Sequence, residues 1–187
     1  MGVISKMFTR INKYATTVFV KIRWKRALEL SDILNGKKDT EIKISENGRI
    51  KIDCNVWFQR NVSLTSAGGF LQIGNNVSIN RNCIIICKKS IIIGDDVNIG
   101  PGVTIYDHDH VFSTEGILPG YRYGEVIIER GCWIAANVTI LRDTHIGEGC
   151  VIGAGVVVKG NIPSHSIVTA DRELHIAPIE NKNVIKC

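Results

Sequence analysis

The sequence predicts an all-β fold, a parallel β-helix, and three observations predict it. Apolar residues recur at every sixth position: Ile52, Phe58, Leu64 and Phe70; Ile73, Ile79, Ile85 and Ile91; Ile93, Ile99 and Ile105; then, after a gap, Ile128, Ile134, Ile140, Ile146, Ile152 and Val158. A small or turn-forming residue often follows, as at Gly74, Gly94, Gly100, Ala135, Gly147 and Gly153. A second inward position lies four residues on, at Val56, Val62, Val77, Cys83, Val97, Val103, Cys132, Val138, Cys150 and Val156. Composition agrees, because Ile and Val dominate the apolar set, aromatics are only 6% and Gly numbers 18, a mixture suited to short strands and tight turns.

Each six-residue unit supplies one short strand and one turn, and three units make a coil of about 18 residues that stacks on the next. Branched side chains suit the packed strand surface, and Gly and Asn suit corners that need left-handed backbone angles. The period slips after Phe70 and Ile91, which reads as short corner insertions. The β-helix domain is assigned to 36–163. Between Ile105 and Ile128 the repeat fails, and Gly116, Pro119, Gly120 and Gly124 mark residues 111–125 as a loop extruded from one corner. Long loops on rigid scaffolds carry function disproportionately.

The flanks differ in character. Residues 1–28 hold Lys6, Arg10, Lys13, Lys21, Arg23, Lys25 and Arg26 and no acidic residue, although the whole chain is only +5. The repeat region is therefore slightly acidic, which argues against a nucleic-acid-binding module. Phe8, Ile11, Ala15, Val18 and Ile22 fall at helical spacing, so 1–35 is expected to be a basic amphipathic helical segment, packed on the β-helix or held at an anionic membrane surface. The tail 164–187 loses the period, and Pro178 argues against one long helix there. Cys54, Cys83, Cys87, Cys132, Cys150 and Cys187 form no C-x-x-C pair, and the N-terminus lacks a secretory pattern. Reduced thiols and a cytoplasmic location, peripheral at the inner face of the membrane if 1–28 binds lipid, are expected.

Tyr106-Asp107-His108-Asp109-His110, at the loop mouth, is the densest ionisable cluster in the chain. An imidazole titrates near neutrality, and a neighbouring carboxylate fixes its tautomer, which is what a general base needs. Cys132 and Cys150 occupy the inward repeat position, where a small apolar side chain is expected rather than a nucleophile.

Ile93 through His110, Cys132-Trp-Ile-Ala-Ala-Asn-Val-Thr-Ile140 and Ile146-Gly-Glu-Gly-Cys-Val-Ile-Gly-Ala-Gly155 closely resemble the hexapeptide-repeat acetyltransferases of the maltose/galactoside O-acetyltransferase and surface-polysaccharide type. The resemblance implies a left-handed β-helix, a homotrimer with active sites in clefts between subunits, and acetyl-CoA as donor. Counting five residues from Ile105, it makes His110 the catalytic base, with His108 in reserve and Asp109 between them. It further implies Trp133 beside the CoA arm, the Ala136 N–H facing the thioester, Ala154 and Lys159 lining the CoA channel, and Asn80 with Asn82 on the acceptor side, where Tyr106 and Asp107 also fall. The chain departs from the family at Gly160 and over Thr169 to Leu174, which leaves Arg172 as a phosphate partner. Some β-helices of this repeat are carbonic anhydrases with three zinc-binding histidines, two of them five residues apart; here His108 and His110 are two apart, and no metal is expected.

The function expected is acetyl-CoA-dependent O-acetylation of a sugar or surface-glycan precursor. An amino sugar or nucleotide-sugar amine as acceptor and a non-catalytic structural trimer are the alternatives.

Overall fold

The computed structural model describes residues 23, 27–32, 35–36 and 39–170. The expected N-terminal helix, Arg172 and the remainder of the tail lie outside the described residues.

The strands form a parallel solenoid of about six turns with three faces. Face one stacks Leu28–Leu30, Arg49–Ile52, Phe70–Ile73, Ser90–Ile93 and Glu125–Ile128. Face two runs from Asn35–Gly36 to Ile167–Val168. Face three stacks Glu41–Ser45, Ser63–Ala67, Ile84–Cys87 and Thr104–Tyr106. Two longer strands, Thr139–Ile146 and Val157–Ile162, turn the corner from face three to face one. The strands thus begin inside the segment expected to be helical and continue past 163, with Leu28 already in register with Ile50.

The repeat positions are the core. Ile73, Ile85, Ile105, Ile128, Ile134, Ile140, Ile146 and Ile152 are all fully buried, as are the second-position residues Val62, Cys83, Val103, Cys132, Val138 and Cys150. Phe70 is the exception. Leu71 is the inward residue and Phe70 faces out beneath the Arg49 guanidinium, 5.2 Å from its ring centroid. The cause is the corner: Ser66 and Ala67 prolong the face-three strand and Gly68-Gly69 follow, which moves the frame by one. Successive partners on face one are offset by 22, 21 and 20 residues (Leu28↔Ile50, Ile50↔Leu71, Leu71↔Ile91), reaching 18 only at Val126↔Thr144.

The other two corners are regular. Asn61, Asn82, Gly102, Asn137 and Gly155 each take a positive φ at the turn from face two to face three. Asparagine side chains also form ladders: Asn61 Nδ2 donates to Asn82 Oδ1 at 3.1 Å, and at the corner from face one to face two Asn55 Nδ2 donates to Asn76 Oδ1 and Asn76 Nδ2 to Asp96 Oδ1.

The expected loop is a hairpin. His108–Ser113 pairs antiparallel with Gly116–Tyr123, and the register skips between His110↔Tyr121 and Val111↔Leu118. Pro119 and Gly120 fall in that skip, where no ladder bond needs the N–H that proline lacks. The hairpin leaves the solenoid at the corner from face three to face one, closed at its root by Gly124 N–H donating to Asp107 O at 2.8 Å.

Candidate active site

The site begins with one column inside the solenoid. Ile44, Ser66 and Cys87 are stacked by the strand register at the inward position that ends face three, and Asp107 follows Cys87 one coil on. Asp107 is fully buried. A buried carboxylate is tolerated only when donors replace water, and here they do. Oδ2 accepts from the backbone N–H groups of Lys88, Lys89 and Ser90 at 2.9, 2.6 and 2.9 Å, and Oδ1 accepts from Lys88 N–H at 2.8 Å. Three successive N–H groups at one turn make an anion-binding concavity, or nest.

His108 Nδ1 lies 3.0 Å from Asp107 Oδ1. An ionised carboxylate only accepts, so Nδ1 carries the proton and the neutral ring presents Nε2 as its lone-pair nitrogen. The ring is enclosed by Tyr106 and Tyr121, both edge-on, at centroid distances of 6.2 and 5.2 Å. His110, two residues along the same strand, is exposed and tilts against Tyr121 at 4.8 Å. Lys88 caps Tyr121, its Nζ 4.3 Å from the ring centroid.

The two acidic residues have different partners. Asp107 is not an acceptor-side contact, because its oxygens are spent on the nest and on His108. Asp109 does not orient an imidazole: its Oδ2 accepts from Arg142 Nε at 2.6 Å, and Arg142 also pairs with Asp143, tying the hairpin to the corner above. Asn82 is a corner residue with φ 60°, held in the ladder from Asn61, and Asn80 Oδ1 accepts from Arg81 N–H at 2.8 Å. Lys88, Tyr121 and Arg142 were not singled out by the sequence. The alternation of Tyr121 and Tyr123 in an otherwise turn-rich segment was the available signal for the paired strand.

Trp133, half exposed, stands on face two between Asn98 and Val151. Ala136 and Ala154 lie at the corner from face two to face three, joined by Gly155 N–H donating to Ala136 O at 2.8 Å. Lys159 is exposed on the hairpin's own corner. One chain therefore carries the imidazoles on one corner and Trp133 with the two alanines on another part of the prism.

The thiols are not poised as nucleophiles. Burial, first of all, and then the Asp107 charge push the Cys87 thiol far up, and burial raises Cys83 and Cys132 as well. An open groove of about 460 Å³ lies on face one, lined by residues including Lys89, Glu125, Asp143, His145 and Asn161. It does not include His108 or His110, and its charges are matched: Lys89 with Glu125 at 3.6 Å, and His145 with Glu129 at 2.7 Å. The hydrogen bond from His145 holds the Glu129 carboxyl below its usual range. Among the described residues no three His, Cys, Asp or Glu side chains are grouped to hold a metal, and no helix there is long and apolar enough to cross a membrane.

Known proteins share this architecture and repeat. Residues 125–160 match the family described as bacterial transferase hexapeptide (six repeats), and residues 71–107 match the hexapeptide repeat of succinyl-transferase. Residues 71–107 and 125–160 are thus similar to the hexapeptide repeats of bacterial transferases. The chain is 36% identical over 110 residues to the Escherichia coli (strain K12) protein WbbJ, named as a lipopolysaccharide biosynthesis O-acetyl transferase, with 54% of this chain and 56% of that protein covered. It is 33% identical over 114 residues to the galactoside O-acetyltransferase of the same organism, covering 60% and 56%. A hexapeptide-repeat acetyltransferase from Vibrio cholerae O1 biovar eltor, solved with acetyl coenzyme A, matches with a TM-score of 0.51 at 25% identity, covering 71% of this chain and 63% of that one. The chain is similar to the galactoside and surface-polysaccharide acetyltransferases, and it spans about half the length of the curated relatives it matches.

Proposed function

We propose that the chain is an acetyl-CoA-dependent O-acetyltransferase acting on a sugar or surface-glycan hydroxyl, with His108 as general base. The carrying observation is the Asp107–His108 contact, which supplies an oriented imidazole at the mouth of the hairpin. Nε2 of His108 removes the acceptor hydroxyl proton as the oxygen attacks the thioester carbonyl. The oxyanion formed is stabilised by a backbone N–H, assigned to Ala136 by the family likeness. Collapse expels the CoA thiolate, which recovers the proton from the His108 imidazolium, leaving an acetyl ester and CoA. No acyl-enzyme forms.

Because the imidazoles and the Trp133–Ala136–Ala154 set lie on different parts of the prism, a second copy is needed to bring them together. The homotrimer, the cytoplasmic location and a lipid foothold through residues 1–28 belong to the same proposal.

The test is acetyl-CoA turnover, followed by thiol release against neutral sugars, amino sugars and glycans. His108→Ala should lower kcat by about 10²–10⁴-fold while acetyl-CoA still binds, since only proton transfer is removed. If His110→Ala shows that loss and His108→Ala does not, the base is the residue the family register selects. Transfer to an amine but to no hydroxyl would change the reaction to N-acetylation.

A further inference from the structure

Lys88 stands at the mouth of the site with its charge uncommitted. Its backbone is fixed by the two hydrogen bonds to Asp107 that also anchor His108, and its ammonium lies over Tyr121, the ring that touches both His108 and His110. Lys89 is paired with Glu125, and Arg142 with Asp109 and Asp143, while Arg122, the next residue along the hairpin, lies over Phe112 and not over Tyr121. Among the described residues no carboxylate forms an ion pair with Lys88. A cation–π contact is a weak use of an ammonium and leaves its three N–H donors free.

We propose that Lys88 recognises an anionic group on the acceptor, so that the substrate is an acidic saccharide, carrying a carboxylate or a phosphate close to the hydroxyl that is acetylated. This rests on acetyl transfer at the His108 site. Tyr121 lies against the His108 ring, 5.2 Å between centroids, and Lys88 Nζ lies 4.3 Å from the Tyr121 centroid, so the ammonium is one ring away from the imidazole that would hold the acceptor hydroxyl. The donor is the competing partner for this charge: once a second copy brings Trp133, Ala136 and Ala154 to His108, CoA also approaches this corner, and the KM for acetyl-CoA in Lys88→Met separates the two. The groove on face one offers no comparable unpaired cation.

The experiment compares kcat/KM for glucose, glucuronate and glucose 6-phosphate in the full-length protein and in Lys88→Met and Lys88→Arg, both checked for an unchanged unfolding temperature. Wild type should favour one of the two acids over glucose by about 10- to 100-fold, the size of one charge-assisted hydrogen bond, and which acid wins separates carboxylate from phosphate. Lys88→Met should bring that ratio to about one through KM, and Lys88→Arg should keep most of it. A ratio that survives Lys88→Met, a wild type that prefers glucose, or a variant whose KM rises for acetyl-CoA instead would overturn the assignment. Calorimetric titration of the same three sugars into His108→Ala protein, with and without Lys88→Met, reads the preference without turnover. Loss of all acetyl transfer with the binding preference intact would remove the enzymatic reading and leave Lys88 standing as an anion-recognition residue; equal or absent binding of the three sugars would remove Lys88.

Discussion

Asp107→Asn isolates the orientation of the imidazole from its presence. The wild-type carboxylate accepts from three backbone N–H groups through Oδ2 and from Lys88 N–H and His108 Nδ1 through Oδ1. Asparagine fits best with its carbonyl oxygen in the Oδ2 position, where three N–H groups converge, which puts its NH2 where Oδ1 was. That NH2 donates to His108 Nδ1, so the ring proton moves to Nε2 and the nitrogen facing the acceptor can no longer take a proton. The expected loss in kcat is about 10²–10⁴-fold, or about 3–5 kcal/mol at 1.36 kcal/mol per decade. Stability falls less: Lys88 N–H keeps the oxygen at the Oδ2 position as its acceptor, and exchanging a carboxylate for a neutral amide in the nest costs about 1–3 kcal/mol. Thiol release gives the first quantity and denaturant unfolding the second. A variant that unfolds earlier but turns over at the wild-type rate would refute the argument, because Asp107 would then be holding the corner and not the base.

Four further outcomes follow from the same geometry. Iodoacetamide labelling of native protein, read by peptide mass, should modify exposed Cys54 and spare buried Cys83, Cys87, Cys132 and Cys150 until the chain unfolds. Since the raised thiols of Cys83, Cys87 and Cys132 stay protonated in the fold while unfolded thiols ionise from about pH 8.5, stability should be full below that pH and decline as pH rises above it; a flat stability curve from pH 8 to 10 would contradict this. Trp133→Ala should leave the unfolding midpoint nearly unchanged, because the ring is 55% exposed, yet raise KM for acetyl-CoA. Sedimentation should give about three times 20.7 kDa; a fully active monomer would sink the site shared between copies.

Much of the solenoid was legible because inward and outward positions are set by backbone period alone. Ile128 to Val158 keep that period without interruption and are buried without exception among the repeat positions. Phe70 misled because three apolar residues, Phe70, Leu71 and Ile73, crowd the end of a corner, and the two extra strand residues Ser66 and Ala67 decide which of them turns in. The cluster before the loop was legible as chemistry, but the division of labour within it was not. Asp107 and Asp109 look equivalent in sequence; one is buried because backbone N–H groups from the preceding coil receive it, and no side-chain pattern announces backbone donors. The hairpin was hidden by Pro119, Gly116 and Gly120, which lower strand propensity although the first two sit only at the bulge and the turn.

The nest that holds Asp107 is built from amides 17 to 19 residues upstream. The carboxylate therefore has its donors only where the turn at Lys88–Ser90 is in place, so the site depends on a rung built from an earlier part of the chain. A chain emerging from its N-terminus first presents the receptor before the group it receives. Damage to the Lys88–Ser90 turn would then be felt one rung later, as a misassembled hairpin, in a part of the chain whose own sequence is intact.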